Sequence, residues 1–480
     1  MGEERKYNHG AKIVLIISIL MIPMQLITSA LISRISSEAS GILGVLEIFY
    51  NAMISFFVFG GENAIIKLLT NKKTKTERKN FIIKYIFITI MIFISTIVIT
   101  KIFHFDFIQK LTGQQKATSI LMYVVGLLII INNILLYYLK EEEKFSYYAF
   151  GIKLFNIGDF LSVLYITFLV KNVDIQNTLL IFMGILQLLS IVRIVLREKI
   201  TYKNVGEMDQ IKIEDIKFIF FLYLSTLLVF IYDKVDQIIL VKTLGLSTLG
   251  GYYLIVKIVN MVKLLPNTYN STFYPYICKY LNKESSNYIF NNILSKNLFF
   301  IFPLTIIIVL NSKLVINILF GMEYINYNFA LQLLTTIILI SAPTIILNNF
   351  IYALGKTKKY FQISFIAIIV QVIIIVSMIK YIGLNAILIA RFVSTMMIFI
   401  FCKLYLSKMQ YATELPKDYY RYSGVLLISL LITNLFRLSI VWNMILSSVI
   451  LIIYMFENKN YVINNYKKIK EKFNNKKSVE

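Results

Sequence analysis

Long apolar stretches alternate with short polar loops along this chain, and the alternation repeats about fourteen times. Because about 20 apolar residues cross the hydrocarbon core of a bilayer as a helix, each stretch predicts one membrane span. Spans 1 to 6 are predicted near 11–32, 41–67, 81–103, 118–139, 147–170 and 176–197, and spans 7 to 14 near 216–243, 251–277, 297–319, 329–353, 360–379, 384–406, 422–438 and 442–456. The predicted fold class is therefore an all-α integral membrane protein with about fourteen transmembrane helices.

Basic residues are concentrated in every second loop. About 27 Lys and Arg residues fall on the side of the N-terminus and about 6 on the other, and basic loops remain in the cytoplasm. Both termini are therefore expected inside the cell. The net charge of +23 follows from this topology and from attraction to anionic lipid, not from nucleic-acid binding. With 58% hydrophobic residues and no loop longer than about 20 residues, the chain has no room for a catalytic head.

Two short patterns recur along the chain and indicate an internal repeat. The pair Asn132-Asn133 recurs 216 positions later as Asn348-Asn349, and Ser40-Gly41 stands opposite Gly250-Gly251 at an offset near 210. The period equals six spans, so the two halves would share one orientation, as in transporters with a site between two lobes. The predicted domains are an N-lobe (1–197), a cytoplasmic amphipathic connector (198–215), a C-lobe (216–406), spans 13 and 14 (407–456) and a basic cytoplasmic tail (457–480).

Ionisable side chains within spans are costly and are expected to face a cavity or a partner. On span 8, Lys257, Asn260 and Asn267 follow a helical spacing on one face, and span 2 carries Glu47, Asn51, Ser55 and Glu62 at similar spacings. Under the repeat, Glu47 falls opposite Lys257, which predicts a hydrated cleft lined by spans 2 and 8. Further candidates for this cavity are Arg34, Lys153, Asp159, Asp233, Asp236 and Arg391. Pairing of Asp233 with its neighbour Lys234 is left open by the spacing.

Little else in the sequence carries chemistry. The chain has two histidines, in a tail and near a loop, so neither a catalytic dyad nor a histidine metal site is expected. No catalytic residue, cofactor or metal is predicted, and the protein is not expected to be an enzyme. No Walker A loop is present, so the energy for any transport would come from an ion gradient, the membrane potential or mass action on a lipid-linked substrate.

The run Tyr232-Asp233-Lys234-Val235-Asp236-Gln237, followed by Leu244-Gly245 and Gly250-Gly251-Tyr252, resembles spans 7 and 8 of bacterial polysaccharide flippases. These proteins are the O-antigen (Wzx-type) exporters of the multidrug/oligosaccharidyl-lipid/polysaccharide superfamily. The loop before span 12 is similar too, but Asn385 stands where the family usually has a small residue. The resemblance covers nearly the whole chain through the order and spacing of such landmarks.

The resemblance implies two six-helix lobes with two added helices, in the bacterial cytoplasmic membrane. It implies a substrate of undecaprenyl-pyrophosphate-linked sugar repeat units, moved to the outer leaflet by alternating access, with a polysaccharide polymerase and glycosyltransferases as partners. Fixed cations suit a pyrophosphate head, and the candidates are Arg34, Lys153, Lys257 and Arg391, with Asn260 and Asn267 facing the sugar. A coupling Na+ or H+ would be taken by Glu47, Asp159, Asp233 or Asp236.

Two rival functions stay open at this point. A cation-coupled drug or metabolite exporter of the same fold needs a net acidic cleft, and the four candidate cations weigh against it. A membrane glycosyltransferase or polymerase needs a sizeable catalytic face outside the bilayer, which the loop lengths do not provide.

Overall fold

The computed structural model describes residues 2–70, 72, 74–103, 106–112, 120–169, 174–201, 213–411, 413–436 and 439–458. These residues are helical and contain no strand, as the apolar runs predict. The helices are α1 Gly2–Ile35, α2 Ser37–Phe57, α3 Gly61–Thr70, α4 Lys75–Ile102, α5 Phe107–Thr112, α6 Ile120–Glu141, α7 Phe145–Gly151, α8 Leu154–Phe168, α9 Ile175–Glu198, α10 Ile213–Tyr280, α11 Ser286–Leu310, α12 Ser312–Leu319, α13 Asn328–Ala353, α14 Thr357–Ile382, α15 Leu384–Lys408, α16 Lys417–Leu435 and α17 Ile440–Glu457, with a 3-10 helix at Met322–Tyr327.

Ten helices in the described part of the chain are long and apolar enough to cross a membrane, and the bent pair α7 and α8 makes an eleventh candidate. The remaining predicted spans fall on α10, which covers spans 7 and 8, and on α16. Large apolar side chains remain exposed along these helices, for example Ile185, Leu189 and Val192 on α9. Such exposure suits contact with lipid chains. The predicted all-α membrane fold is confirmed.

Three predicted spans are broken in the structure, and one of them, span 9, divides at Asn311 into the end of α11 and α12. Span 2 divides into α2 and α3 because Gly60 and Gly61 have φ angles of +70° and +59°, which a helix cannot continue through. Glu62, predicted on the same helix face as Glu47, therefore lies on a different helix. Span 5 divides at Ile152 and Lys153 into α7 and α8, with a bend of 44°.

Spans 7 and 8 are joined more closely than the sequence predicted. Instead of a loop between residues 243 and 251, the helical path of α10 is interrupted at Gly245, with φ 86° and ψ 176°. No other heavy atom would lie within 4 Å of a side-chain carbon at Gly245, so the glycine is required by the backbone angle and not by crowding. The kink places the residues on either side of it on two different helical axes.

The chain forms two compact units. The first comprises Met1–Ile258, Leu319–Tyr324 and Thr357–Ile398, and within it α6 packs on α2, α3 and α9 while α8 packs on α1 and α9. The second comprises Val259–Ile318, Ile325–Lys356 and Phe399–Glu480, and within it α11 packs on α13, α16 and α17.

The predicted domain division stays a prediction. Most of its connector (202–212 of 198–215) and of its basic tail (459–480 of 457–480) lies outside the described residues.

Candidate functional site

Helices α2 and α10 approach each other to backbone contact in the first unit. A side-chain carbon at Gly41 would lie 2.1 Å from the carbonyl oxygen of Leu246, and one at Gly250 would lie 1.9 Å from that of Ser37. Only glycine fits at these two positions. The hydroxyl groups of Ser37 and Ser247 are 2.6 Å apart. These serines are separated by 210 positions in the sequence, the same offset that relates Ser40-Gly41 to Gly250-Gly251.

The same two helix faces carry a charged group that we call the Glu47 cluster: Glu47 of α2 with Lys234 and Lys257 of α10. Lys234 Nζ lies 2.6 Å from Glu47 Oε1, and Lys257 Nζ lies 2.6 Å from Glu47 Oε2. The three side chains are only 9 to 15% exposed. The ammonium group of Lys257 also lies 5.1 Å from the ring centre of Tyr253. Two ammonium groups share one carboxylate, so the cluster has an excess of positive charge.

Helical spacing explains why the glycine contact leads to the cluster. Steps of three and four residues connect Ser37, Gly41, Gly44 and Glu47 on α2, and Ser247, Gly250 and Lys257 lie in the same way on α10. Glu47 and Lys257 are again 210 positions apart, so the ion pair joins two positions that the sequence repeat aligned as equivalent. Lys234 is the member that spacing did not select. It pairs with Glu47 and not with its neighbour Asp233, which the sequence left open.

A second charged contact, the Asp236–Arg391 pair, lies on α10 and α15 of the same unit. Arg391 Nε donates to Asp236 Oδ2 at 2.8 Å, and the hydroxyl of Tyr252 donates to the same oxygen at 2.6 Å. Asp236 Oδ1 accepts from the backbone N–H of Gln237 at 2.8 Å. The guanidinium group also donates to the backbone oxygen of Asp233 at 2.8 Å. Asp236 is fully buried, and both of its oxygens are engaged.

Asp159 differs from the other acidic candidates. Its side chain on α8 is 4% exposed, and Oδ1 has no hydrogen-bond donor among the described residues. It is close enough to Lys257 and Glu47 to interact with their charges. Lys153, at the bend before α8, is likewise close enough to interact with the charge of Lys257. Glu47 of span 2, Lys153 and Asp159 of span 5 and Lys257 of span 8 therefore belong to one charged region of the first unit.

The side chains of the remaining predicted residues take no part in the contacts described above. Arg34 is exposed in the last turn of α1, and the side chain of Asp233 is exposed while its backbone carbonyl contacts Arg391. Asn260 and Asn267 are exposed on the part of α10 that belongs to the second unit. Sequence reasoning missed Tyr252 as a partner of Asp236, since a tyrosine in an apolar span gives no signal of its own.

Comparisons with solved structures show which known fold this chain shares. No protein-family model and no curated protein matches the sequence. A solved structure of "Lipid II flippase MurJ, inward closed conformation" is similar with a TM-score of 0.71 and 15% identity, over 94% of this chain and 99% of that one. The chain has the fold of MOP-superfamily transporters. An inward-facing multidrug resistance MATE family transporter of that superfamily is similar with a TM-score of 0.60 and 13% identity, over 84% of this chain and 100% of that one.

A further MATE multidrug transporter, DinF-BH, solved as a complex, has a TM-score of 0.60 and 14% identity, over 85% of this chain and 96% of that one. Flippases and drug transporters thus share this MOP fold.

Proposed function

We propose that this protein is a flippase for a lipid-linked oligosaccharide, and that it moves undecaprenyl-pyrophosphate-linked repeat units from the inner to the outer leaflet of a bacterial cytoplasmic membrane. The observation that carries the proposal is the excess positive charge of the Glu47 cluster. A second ammonium group on one carboxylate retains unused attraction for an anion.

The substrate and the cluster are complementary in charge. A pyrophosphate carries several anionic oxygens, and each can accept a charge-assisted hydrogen bond from an ammonium group. Lys153 lies near Lys257 and adds a further cation to this region, and Asp159 near the same lysine adds a second carboxyl group, so three lysines still face two carboxyl groups. The sugar would contact polar side chains, and the polyprenyl chain would remain in the surrounding lipid. In the cell, the glycosyltransferases that build such a unit and the polymerase that consumes it would be its partners.

A cation-coupled exporter of another substrate on the same fold is the second candidate, favoured by the MATE structures. An organic cation would be repelled by the Glu47 cluster and would find Asp236 already paired with Arg391. The charge balance therefore favours an anionic substrate. A glycosyltransferase or polymerase finds no support in these contacts.

A coupling ion, Na+ or H+, would bind most readily at Asp159. Among the four acidic candidates, Asp236 is filled by three donors and Glu47 is paired with two lysines, while the Asp233 side chain is exposed. The buried Oδ1 of Asp159 has no donor among the described residues and would gain a partner from a proton or a cation.

The deciding experiment measures export of lipid-linked glycan in a bacterial strain that lacks its own flippase, normalised to protein level. Wild-type protein should restore export, and Lys257→Ala should remove a contact worth about 1.5 to 3 kcal/mol. Lys257→Arg should retain part of the export, and Lys257→Glu should be worse than Ala. Lys84→Ala, which removes an exposed lysine on α4, serves as the control and should leave export unchanged.

Full export with Lys257→Glu would show that this lysine does not hold the anionic head. Failure of the wild type to restore export, together with resistance to cationic dyes, would instead favour the exporter.

Topology is tested by cysteine labelling in intact cells, after Cys278 and Cys402 are replaced by serine. A label that cannot cross the membrane should reach Met322→Cys, because Met322 is 71% exposed in a loop predicted outside. The same label should miss Lys75→Cys, whose side chain is 76% exposed in a loop predicted inside. Labelling of Lys75→Cys in intact cells contradicts the predicted orientation.

A further inference from the structure

A cavity of about 180 Å³ lies on the first unit among α6, α7, α8 and α9, outside the charged region described above. Its walls are apolar and include Leu136, Leu139, Leu154 and Leu186. A single water molecule needs only about 10 to 15 Å³ of such volume, so the cavity is large enough for part of an acyl chain.

The open side of the cavity faces the lipid-contacting surface. Leu189 and Phe150 line it and are 59% and 47% exposed. Further apolar side chains are exposed along α9, at Ile185, Val192 and Leu196. An apolar cavity that opens on such a surface is accessible to a membrane lipid without passage through water.

Two arginines stand at the polar end of this cavity. The guanidinium groups of Arg193 and Arg197 lie 5.2 and 4.1 Å from the ring centre of Tyr147, and Arg197 donates to the Tyr147 hydroxyl. They are four residues apart on α9, where like charges repel each other. Among the described residues, no carboxylate pairs with either arginine.

Three neighbouring cations are paired with carboxylates. Arg78 pairs with Glu141 and Glu142, and Lys140 pairs with Glu62. Glu198 also lines the cavity, but Lys144 pairs with its carboxylate. Within the described part of the chain, Arg193 and Arg197 beside Tyr147 are therefore two positive charges without an anionic partner.

We infer that this cavity is a binding site for an anionic phospholipid, with the phosphate held by Arg193 and Arg197 and one acyl chain seated against the leucines. Guanidinium groups bind phosphate oxygens in pairs, and basic pockets between membrane helices are suited to anionic head groups. Arg193 lies five residues before the end of α9, about 7.5 Å along the helix axis from its last residue. The inference is independent of the proposed transport function.

The test is native mass spectrometry of the full-length protein in detergent, titrated with phosphatidylglycerol. The double variant Arg193→Gln, Arg197→Gln should weaken binding of the first lipid about tenfold or more, the loss expected for one or two charge-assisted contacts. Phosphatidylcholine with the same acyl chains should bind the wild type at least about tenfold more weakly than phosphatidylglycerol.

Two further variants separate a built site from general surface charge. Lys84→Gln with Lys380→Gln removes two exposed positive charges elsewhere and should leave the first binding event unchanged. Ser190→Phe keeps both arginines but fills the cavity, and should weaken binding as strongly as the double arginine variant.

Three results would overturn the site. The first is a loss of lipid affinity in the lysine control equal to that in the double arginine variant. The second is binding of phosphatidylcholine as tight as that of phosphatidylglycerol, and the third is unchanged binding by Ser190→Phe.

Discussion

The Glu47 cluster and the Asp236–Arg391 pair both involve α10, yet they differ in charge balance and in the burial of their carboxylates. In the pair, a fully buried carboxylate has one guanidinium partner and two further donors, so its charge and its hydrogen bonds are satisfied. In the cluster, one carboxylate serves two lysines, and all three side chains remain partly exposed. The balanced pair is suited to hold α10 and α15 together, and the unbalanced cluster is suited to bind a ligand.

The largest effect should come from breaking the balanced pair. Asp236→Asn leaves the Arg391 charge without its partner, and removal of one member of a buried pair costs about 3 to 5 kcal/mol. Chemical unfolding in mixed micelles should show this loss. Asp233→Asn, three residues away with an exposed side chain, is the matched control and should be nearly neutral. The double variant Asp236→Asn, Arg391→Gln should recover much of the stability, and no recovery would contradict the pairing.

The second-largest effect is expected at the glycine contact between α2 and α10, which supports the Glu47 cluster and not the Asp236–Arg391 pair. Gly250→Ala places a carbon against the Ser37 carbonyl, which should force α2 away from α10 and cost about 1 to 3 kcal/mol. Gly424→Ala, where no atom lies within 4 Å of the added carbon, is the control. A cysteine crosslink between positions 37 and 247 should form in the parent and fail in Gly250→Ala. Equal crosslinking in both would mean that the glycine contact does not hold the helices together.

Removal of the shared carboxylate should affect ligand binding more than folding. Glu47→Gln leaves Lys234 and Lys257 both unpaired, so stability should fall by about 1 kcal/mol while affinity for a pyrophosphate-bearing lipid increases. The affinity for the pyrophosphate-bearing lipid is measured by its binding to the purified protein in micelles. Weaker binding by Glu47→Gln would indicate that the carboxylate positions the lysines, and that their excess charge is not the attraction.

The smallest effect on stability is expected at Asp159. Asp159→Asn removes a carboxylate whose Oδ1 has no donor among the described residues, so the free energy of unfolding should change by less than about 1 kcal/mol. Transport in proteoliposomes should lose its dependence on the coupling ion, measured across a pH gradient and, separately, a Na+ gradient. Asp233→Asn should keep that dependence. If Asp233→Asn lost the dependence on the coupling ion and Asp159→Asn kept it, the coupling would be assigned to Asp233.

The sequence by itself determined the membrane class and the approximate position of nearly every helix, because each apolar segment partitions into the bilayer largely on its own account. It also aligned Glu47 with Lys257 as equivalent positions of a repeat, although an offset does not state that equivalent positions are in contact. Breaks in spans 2, 5 and 9 were missed, because single glycine, turn and bend positions within an apolar run change its hydropathy very little.

Only the tertiary structure decided which charges meet. Helical spacing states which residues share a face, but it does not state which face of another helix lies opposite. Lys234 therefore could not be assigned to Glu47, nor Arg391 to Asp236, until α2 and α15 were placed against α10. The arginine pair on Tyr147 has the same origin, because the bend between α7 and α8 and the packing of both on α9 are tertiary properties.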